Sequence, residues 1–329
     1  MFKLVKSDLY KTLKRWMPYV LLLVLLGYMT YVISSDYSYA KGIFETHPEL
    51  TYSDYANALE QTDENEAMVT ITYPYKDDSG YTEIGLSKLI LNEVILPDAM
   101  SSKFSYMSIA GTLLLILTAS VFGTEYKWGT IRQTLARGIP RNKYLGSKFL
   151  MLSIIALGFV LIATILAFIA SAVTTWLITG GISWDFLSFS FIGGILKSIG
   201  LILFVILVYI TFAALFTVLF KSSTTGMITG LLFFQIEGYI VMSMMSTSYA
   251  ISDSGITTTL ANPPEWLAYT IGYNIQYLWA HISPDSANEY LLQQTLTTGG
   301  QSVLVLSFFC IIFVLASFYI FRRQDLTAD

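Results

Sequence analysis

Residues 123–148 read GTEYKWGTIRQTLARGIPRNKYLGSK and carry six lysines or arginines between two long apolar runs. Residues 104–124 before this segment and residues 149–184 after it contain no charged side chain. Each run is long enough to cross the roughly 30 Å hydrocarbon core of a bilayer as a helix. Basic loops between spans lie on the cytoplasmic side, so the segment predicts a polytopic membrane protein and its orientation.

The same segment also predicts a short helix at the membrane surface. Trp128, Ile131 and Leu135 follow the i, i+3, i+7 spacing of one helical face, and Gly138 should end the helix. We expect residues 125–137 to form one amphipathic helix that docks a partner through these three apolar side chains. The alternative is a solvated basic loop that serves only to fix the topology.

The composition places the chain among membrane proteins and excludes several other classes. Of its 329 residues, 54% are hydrophobic and 13% are charged, whereas a soluble domain has about 25% charged residues. Cys310 is the single cysteine, and there are two histidines, so an intramolecular disulfide and a cysteine- or histidine-rich metal site are excluded. No basic patch is interleaved with aromatic residues as in a nucleic-acid-binding surface.

Charge-poor runs divide the chain into an all-α polytopic membrane protein. The predicted transmembrane helices cover residues 16–35, 104–124, 149–179, 198–220, 222–252 and 302–321. The parts between and around them are an amphipathic helix (1–15), a small extracytoplasmic insertion (36–103), the cytoplasmic coupling segment (125–148), an extracytoplasmic re-entrant or interfacial region (253–301) and a cytoplasmic tail (322–329). Six spans with both termini in the cytoplasm follow from this division.

The distribution of charge favours the same orientation independently. With both termini inside, fourteen of the 19 lysines and arginines fall on the cytoplasmic side. The insertion at 36–103 carries 13 acidic and four basic residues, the reverse bias. This asymmetry is the positive-inside rule. We therefore expect a multi-pass protein of the plasma (cytoplasmic) membrane of a prokaryote.

Two segments outside the spans have recognisable local patterns. Phe2, Val5 and Leu9 share one face of residues 2–15, which predicts an interfacial helix; the alternative is a signal peptide cleaved near residues 38–40. Within the insertion, MVTITY (68–73) alternates like a strand, and a turn at 76–80 leads to a second strand. This pattern predicts a small hairpin, followed by a helix over 84–103 that is kinked at Pro97.

Polar and small residues inside the spans indicate where helices pack. Glu237 lies in the middle of the fifth span, where a charge costs about 2.5–3.5 kcal/mol. We expect the helix to be broken there, with the carboxylate bound to backbone groups or to hydroxyls such as Ser243 or Thr229. A functional and a structural role both remain open. Gly226 and Gly230 form a G-x-x-x-G pattern that favours close packing within the subunit over a dimer seam.

The order of these parts resembles the membrane (permease) subunits of type-2 ABC transporters, which have the ABCG-like exporter fold. The local match is carried by Glu125-Tyr126-Lys127-Trp128-Gly129-Thr130-Ile131-Arg132, Leu135-Ala136-Arg137-Gly138, Arg141 and Gly146-Ser147-Lys148. The resemblance implies that this helix couples to a separate ATP-binding subunit, present in two copies. The residues that it assigns to coupling are Glu125, Trp128, Ile131, Arg132, Leu135 and Arg137.

The absence of a nucleotide-binding motif from the sequence favours a non-enzymatic membrane subunit. The chain has no G-x-x-x-x-G-K-[ST] sequence, so we expect ATP and Mg²⁺ to bind to the partner and no cofactor to bind here. Six helices are few to enclose a path, so a second permease copy is expected, as a homodimer or a related heterodimer. Membrane lipid surrounds the assembly.

Three functions remain compatible with the sequence. An exporter of an amphipathic or hydrophobic compound is the first, and a non-transporting signalling or immunity component of the ABC type is the second. A membrane-embedded hydrolase is weaker, because neither histidine lies within a predicted span.

Overall fold

The computed structural model describes residues 2–46, 68–74, 81–87, 94–245, 248–252, 255–259, 263–283 and 296–324. Six helices in these ranges are long and apolar enough to cross a membrane. The predicted class, an all-α polytopic membrane protein with six spans, is confirmed. The last five residues of the predicted tail and, within the 36–103 insertion, residues 47–67, 75–80 and 88–93 lie outside the described residues.

The helices follow one another in the order that the apolar runs predict. The six spanning helices are α2 (Trp16–Thr46), α3 and α4 together (Ala99–Ser105 and Ile109–Lys127), α6 (Arg141–Thr179), α7 (Phe189–Phe220), α8 (Ser223–Met245) and α10 (Gly299–Arg323). The shorter helices are α1 (Phe2–Leu13), α5 (Thr130–Ala136) and α9 (Ile271–Ile282), with 3-10 turns at Tyr106–Ser108 and Glu265–Tyr269. The short helices at 265–282 fall in the region predicted to be re-entrant or interfacial.

Local sequence sets the ends of the spanning helices. Helix α6 ends at Thr179, as predicted, because Gly180 adopts the left-handed conformation that glycine tolerates best. Helix α7 starts nine residues before the predicted position, since the Ser188 hydroxyl accepts a hydrogen bond from the Phe191 amide and caps an apolar lead-in. It ends at Phe220, where Lys221 has a φ of 51°.

The fifth span differs from its prediction in two ways. Helix α8 runs unbroken from Ser223 to Met245, so the predicted break at Glu237 is wrong. The prediction that the span reaches residue 252 is also wrong. Residues Ser248–Ser252 form strand β3, which pairs antiparallel with β4 (Gly255–Thr259). Serine, threonine and isoleucine dominate both segments, and β-branched residues favour strands.

The predicted hairpin of the insertion is present. Strand β1 (Met68–Pro74) pairs antiparallel with β2 (Tyr81–Ser87), with Ile71 opposite Ile84 in the register. The helix predicted over residues 84–103 is wrong, because residues 84–87 belong to β2 and α3 starts only at Ala99. A proline disfavours helical backbone in the residue before it, so Pro97 delays the helix instead of kinking it.

Helices α4 and α7 form the centre of the bundle, and small residues bring the neighbouring helices close to them. A Cβ added to Gly226 would lie 2.9 Å from Thr217 Cα, and one added to Gly230 would lie 2.8 Å from Leu115 Cδ1. Both glycines of the G-x-x-x-G pattern therefore serve packing within this chain. Phe212 contacts the rings of four other phenylalanines, on α7, α8 and α10, which extends the core between these helices.

Candidate functional site

Three parts of the chain that are far apart in sequence meet at one end of the bundle, here called the basic end. They are helix α1, the segment 125–148 and the last turn of α10, and together they hold most of the lysines and arginines of the described residues. The segment 125–148 contains the residues that the sequence assigned to coupling. The geometry at this end therefore decides what each of them can do.

The segment 125–137 is not one helix, and this prediction is wrong. Helix α4 continues through Glu125 to Lys127, and the chain then turns at Gly129, which has a φ of 63°. A separate two-turn helix, α5, runs from Thr130 to Ala136, with Arg137 at its C-cap. Gly129 and Gly138 both have left-handed backbone, so a position of high conformational freedom bounds α5 on each side.

The predicted apolar stripe is split between the surface and the core. Trp128 is 68% exposed, whereas Ile131 is 2% exposed and belongs to the main hydrophobic core. Leu135 packs against the same core. The interpretation of all three as docking anchors is therefore wrong: Ile131 and Leu135 hold α5 against the bundle, and Trp128 alone projects from it. Arg132, on α5, and Arg137, at its C-cap, are exposed.

Glu125 is not a surface residue but a member of a buried charge cluster, defined here as Asp8, Glu125 and Lys148. The Lys148 ammonium lies 2.5 Å from Glu125 Oε1 and 3.0 Å from Asp8 Oδ1. The Tyr144 hydroxyl donates to the other Glu125 oxygen, and Ser147 Oγ donates to Asp8 Oδ2 at 3.2 Å. The cluster thus joins α1, α4 and α6 at one point.

One feature of the sequence indicates this cluster: two of its charged residues occupy positions where the surrounding pattern favours apolar side chains. Asp8 falls between Val5 and Thr12 on the face of α1 that is buried, and an acidic residue on such a face requires a cation. Lys148 occupies the first turns of an otherwise apolar span and is 2% exposed. Buried charges are kept only when they are paired and hydrogen-bonded. The pairing itself spans 140 positions, so the spacing alone could not reveal it.

A cavity of about 510 Å³ opens between α1, the end of α4 and α5. Asp8 and Glu125 lie in its wall, Trp128 borders it, and its basic residues are Lys11, Lys14, Arg15 and Arg137. Arg15 also donates to Thr124 Oγ1 at 2.9 Å, which fixes the start of α2 to α4. The cavity is thus a polar recess beside an exposed tryptophan, the kind of surface into which part of a partner protein can insert.

The C-terminal end of α10 is tied to the same region. The Arg141 guanidinium donates to the carbonyls of Phe321, Arg322 and Gln324 at 2.6–3.1 Å. These are terminal carbonyls of a helix, which have no partner within the helix and favour a cation. Gln324 in turn accepts from the Tyr126 hydroxyl at 2.9 Å and donates to the Val218 carbonyl.

Glu237 offsets the cost of its charge by a contact with another helix. Its carboxylate lies against the start of α9, where the backbone amides of Ile271 and Gly272 stabilise its charge. Gly272 is needed for this approach, because a Cβ there would lie 2.9 Å from Glu237 Cγ. Gln276 adds a hydrogen bond to the Gly238 carbonyl at 3.4 Å. Backbone amides of α9 therefore face the carboxylate, whereas Ser243 donates to its own helix.

Comparison with known proteins identifies the family of the chain. The sequence profile described as ABC-2 family transporter protein matches residues 3–326, which is nearly the whole chain. The protein therefore belongs to the ABC-2 transporter family, and it is a multi-pass membrane protein with the role of a transport permease. No curated protein matched the sequence.

Proposed function

We propose that this chain is the permease subunit of an ATP-driven exporter of an amphipathic or hydrophobic compound, energised by a separate ATP-binding subunit. Two copies of that subunit would bind at the basic end, which would face the cytoplasm of a prokaryotic cell. A second permease copy, identical or related, would complete the path. The basic end supports this proposal because an exposed tryptophan and a cavity lie there beside the charge cluster, which joins three helices.

The charge cluster gives the proposed docking surface a mechanical role. Trp128 directly follows α4, and Glu125 lies one turn before it on the same helix. Lys148 connects that turn to α6, and Asp8 connects it to α1. A displacement of Trp128 by a bound ATPase would therefore move the ends of two spans together with α1. The glycines on either side of α5 allow this segment to adjust to the partner.

Replacing Trp128 with alanine should weaken ATPase binding at least about 30-fold, because truncating an anchor at an interface costs on the order of 2 kcal/mol or more. Trp184 is also exposed but lies in the 180–188 connection at the opposite end of α6, so Trp184→Ala is the matched control. Binding of the co-purifying ATPase in detergent is the measurement. Equal binding by both variants would contradict docking at Trp128.

The orientation can be tested with single cysteines after Cys310→Ser. Cysteine at the exposed positions Ser183 and Glu265 should react with a membrane-impermeant thiol reagent in intact cells. Cysteine at Arg137 should react only after lysis, because the basic end is expected inside. Labelling of position 137 in intact cells would refute the proposed orientation.

A further inference from the structure

An apolar groove of about 430 Å³ runs along the surface of the bundle between α6, α7 and α10. Phe149, Leu207 and Val314 are among the side chains that line it. Its hydroxyls are already bound within the protein: Ser153 donates to the Phe149 carbonyl at 3.0 Å and Thr211 to the Leu207 carbonyl at 2.9 Å. The groove therefore offers no polar group to a ligand and suits a hydrocarbon chain.

A second recess, of about 760 Å³, continues this groove at the basic end. The two share Leu315 and Phe318, and the second adds Asn142, Tyr319, Arg322 and Arg323. Arg323 lies over the Tyr319 ring, 4.4 Å from the ring centroid, so the aromatic ring holds this guanidinium beside the recess. A dry groove thus ends at a cationic, hydrogen-bonding pocket.

The length of the groove matches one leaflet of a membrane. Cys310, which lines its deep end, and Arg322 are twelve residues apart on α10, which corresponds to roughly 18 Å along a helix. Half of the hydrocarbon core is about 15 Å thick. A molecule with its tail beside Cys310 would therefore place its head group at the level of the two arginines.

We propose that the groove and the basic recess together form a binding site for an anionic phospholipid of the cytoplasmic leaflet. The acyl chain lies between α6, α7 and α10, and the head-group phosphate binds Arg322 and Arg323, with Asn142 as a further donor. Basic pockets between spans on the cytoplasmic side are favourable sites for anionic head groups. The assignment of the leaflet rests on the orientation in the proposed function, whereas the site itself does not require an ATPase.

Arg141 does not belong to this site, although it is adjacent to Asn142 in sequence. Its guanidinium is occupied by the carbonyls at the end of α10. It holds the helix end that carries Arg322 and Arg323, and so positions both cations against the start of α6. A bound lipid would contact α6 and α10 at the same time and strengthen the contact between these helices.

Native mass spectrometry of the delipidated full-length protein tests the proposal, with phosphatidylglycerol and phosphatidylcholine of identical acyl chains as probes. Phosphatidylglycerol should bind more tightly. Each basic residue near an anionic head group increases affinity about fivefold. The double variant Arg322→Gln/Arg323→Gln should therefore bind phosphatidylglycerol roughly 30-fold more weakly. Its affinity for phosphatidylcholine should be unchanged. Val314→Phe should weaken both lipids, because it fills the groove.

Matched variants separate the site from general effects of charge and bulk. Lys127→Gln/Lys143→Gln removes two exposed cations near the same end, and Ile312→Phe introduces the same aromatic side chain at an exposed position of α10 outside the groove. Both should bind lipid like the parent protein. Equal affinity for the two lipids, or full displacement of phosphatidylglycerol by inorganic phosphate, would overturn the proposal. Neither result would bear on ATPase docking at Trp128.

Discussion

Glu125 and Glu237 are both carboxylates in helices long and apolar enough to span a membrane, and the chain stabilises them in different ways. Glu125 lies at the basic end and is bound by Lys148 and Tyr144. Glu237 has no cationic partner among the described residues and is stabilised by the backbone amides at the start of α9, which it faces. One carboxylate uses a full opposite charge, and the other uses the partial positive charge of a helix N-terminus.

The difference implies different consequences for movement. The charge cluster binds three helices through directed, charge-assisted bonds, and separating any of them leaves a buried charge without its partner. The contact of Glu237 is less directed, since its Oε2 has no hydrogen-bond partner within the described part of the chain. We infer that α1, α4 and α6 move as one unit, whereas α8 and α9 separate at lower cost.

The largest effect should follow from Lys148→Met. It leaves Asp8 and Glu125 beside each other without the ammonium that contacts both, and breaking a buried pair in this way costs about 3–5 kcal/mol. Unfolding by SDS in mixed micelles measures the loss. Lys143→Met, at an exposed position of the same helix, should change stability little. Comparable stability of the two variants would refute the structural role of the cluster.

The same comparison can be sharpened by removing every charge in the cluster. The triple variant Asp8→Asn/Glu125→Gln/Lys148→Met retains hydrogen-bonding groups at two positions and should recover most of the lost stability. Replacing a whole buried ion cluster is often neutral, whereas removing one member is not. SDS unfolding of the triple variant beside Lys148→Met measures the recovery, and equal losses in the two would contradict it.

An intermediate effect is expected at Glu237. Glu237→Leu removes the carboxylate that the amides of Ile271 and Gly272 face, and buried donors left without an acceptor cost about 1–3 kcal/mol. Amide hydrogen exchange should therefore accelerate in Ile271–Ile282 while that of α4 is unchanged. Glu237→Gln retains an acceptor oxygen and should protect α9 nearly as well as the parent. Gln235→Leu is the control, because Gln235 is exposed on the same helix. Equal exchange rates of α9 in Glu237→Leu, Glu237→Gln and Gln235→Leu would contradict the contact between Glu237 and α9.

The smallest effect should follow from Tyr144→Phe. It removes the hydroxyl bound to Glu125 but keeps the ring, which stacks on Phe321 at a centroid distance of 5.6 Å. Lys148 still binds the same carboxylate in this variant, so the loss should be about 1 kcal/mol, the net value of an ordinary hydrogen bond. The control is Tyr10→Phe, at an exposed position of α1, which should leave SDS unfolding unchanged. If Tyr144→Phe also left SDS unfolding unchanged, the Tyr144 hydroxyl would not contribute to the stability of the cluster.

The spans are predictable from the sequence because a charge-free run is a one-dimensional property. The end of α6 at Gly180 and the packing of Gly226 and Gly230 are also predictable, since each depends on local conformation or on a short repeat. The basic segment is evident in the sequence, but the course of its backbone is not. The i, i+3, i+7 pattern passes through Gly129, whose left-handed conformation separates α4 from α5.

The contacts that give the candidate site its character were not predictable from one sequence. Lys148 with Asp8, and Glu237 with Gly272, are pairs that only the folded arrangement brings together. The break in the helix was expected at Glu237 because a lone charge in a span is costly. In the structure, the start of α9 stabilises this charge instead, and α8 is unbroken. A buried polar residue thus indicates that a partner exists, without indicating on which helix it lies.

The hydrogen bonds of Gln324 have a consequence for how the protein is made. This residue connects α10 to α4 and α7 through Tyr126 and Val218, yet it is translated after all six spans. The junction at the basic end can therefore close only once the sixth helix has been inserted. Until then, Arg141 lacks the carbonyls that it binds, and Tyr126 lacks its acceptor on Gln324.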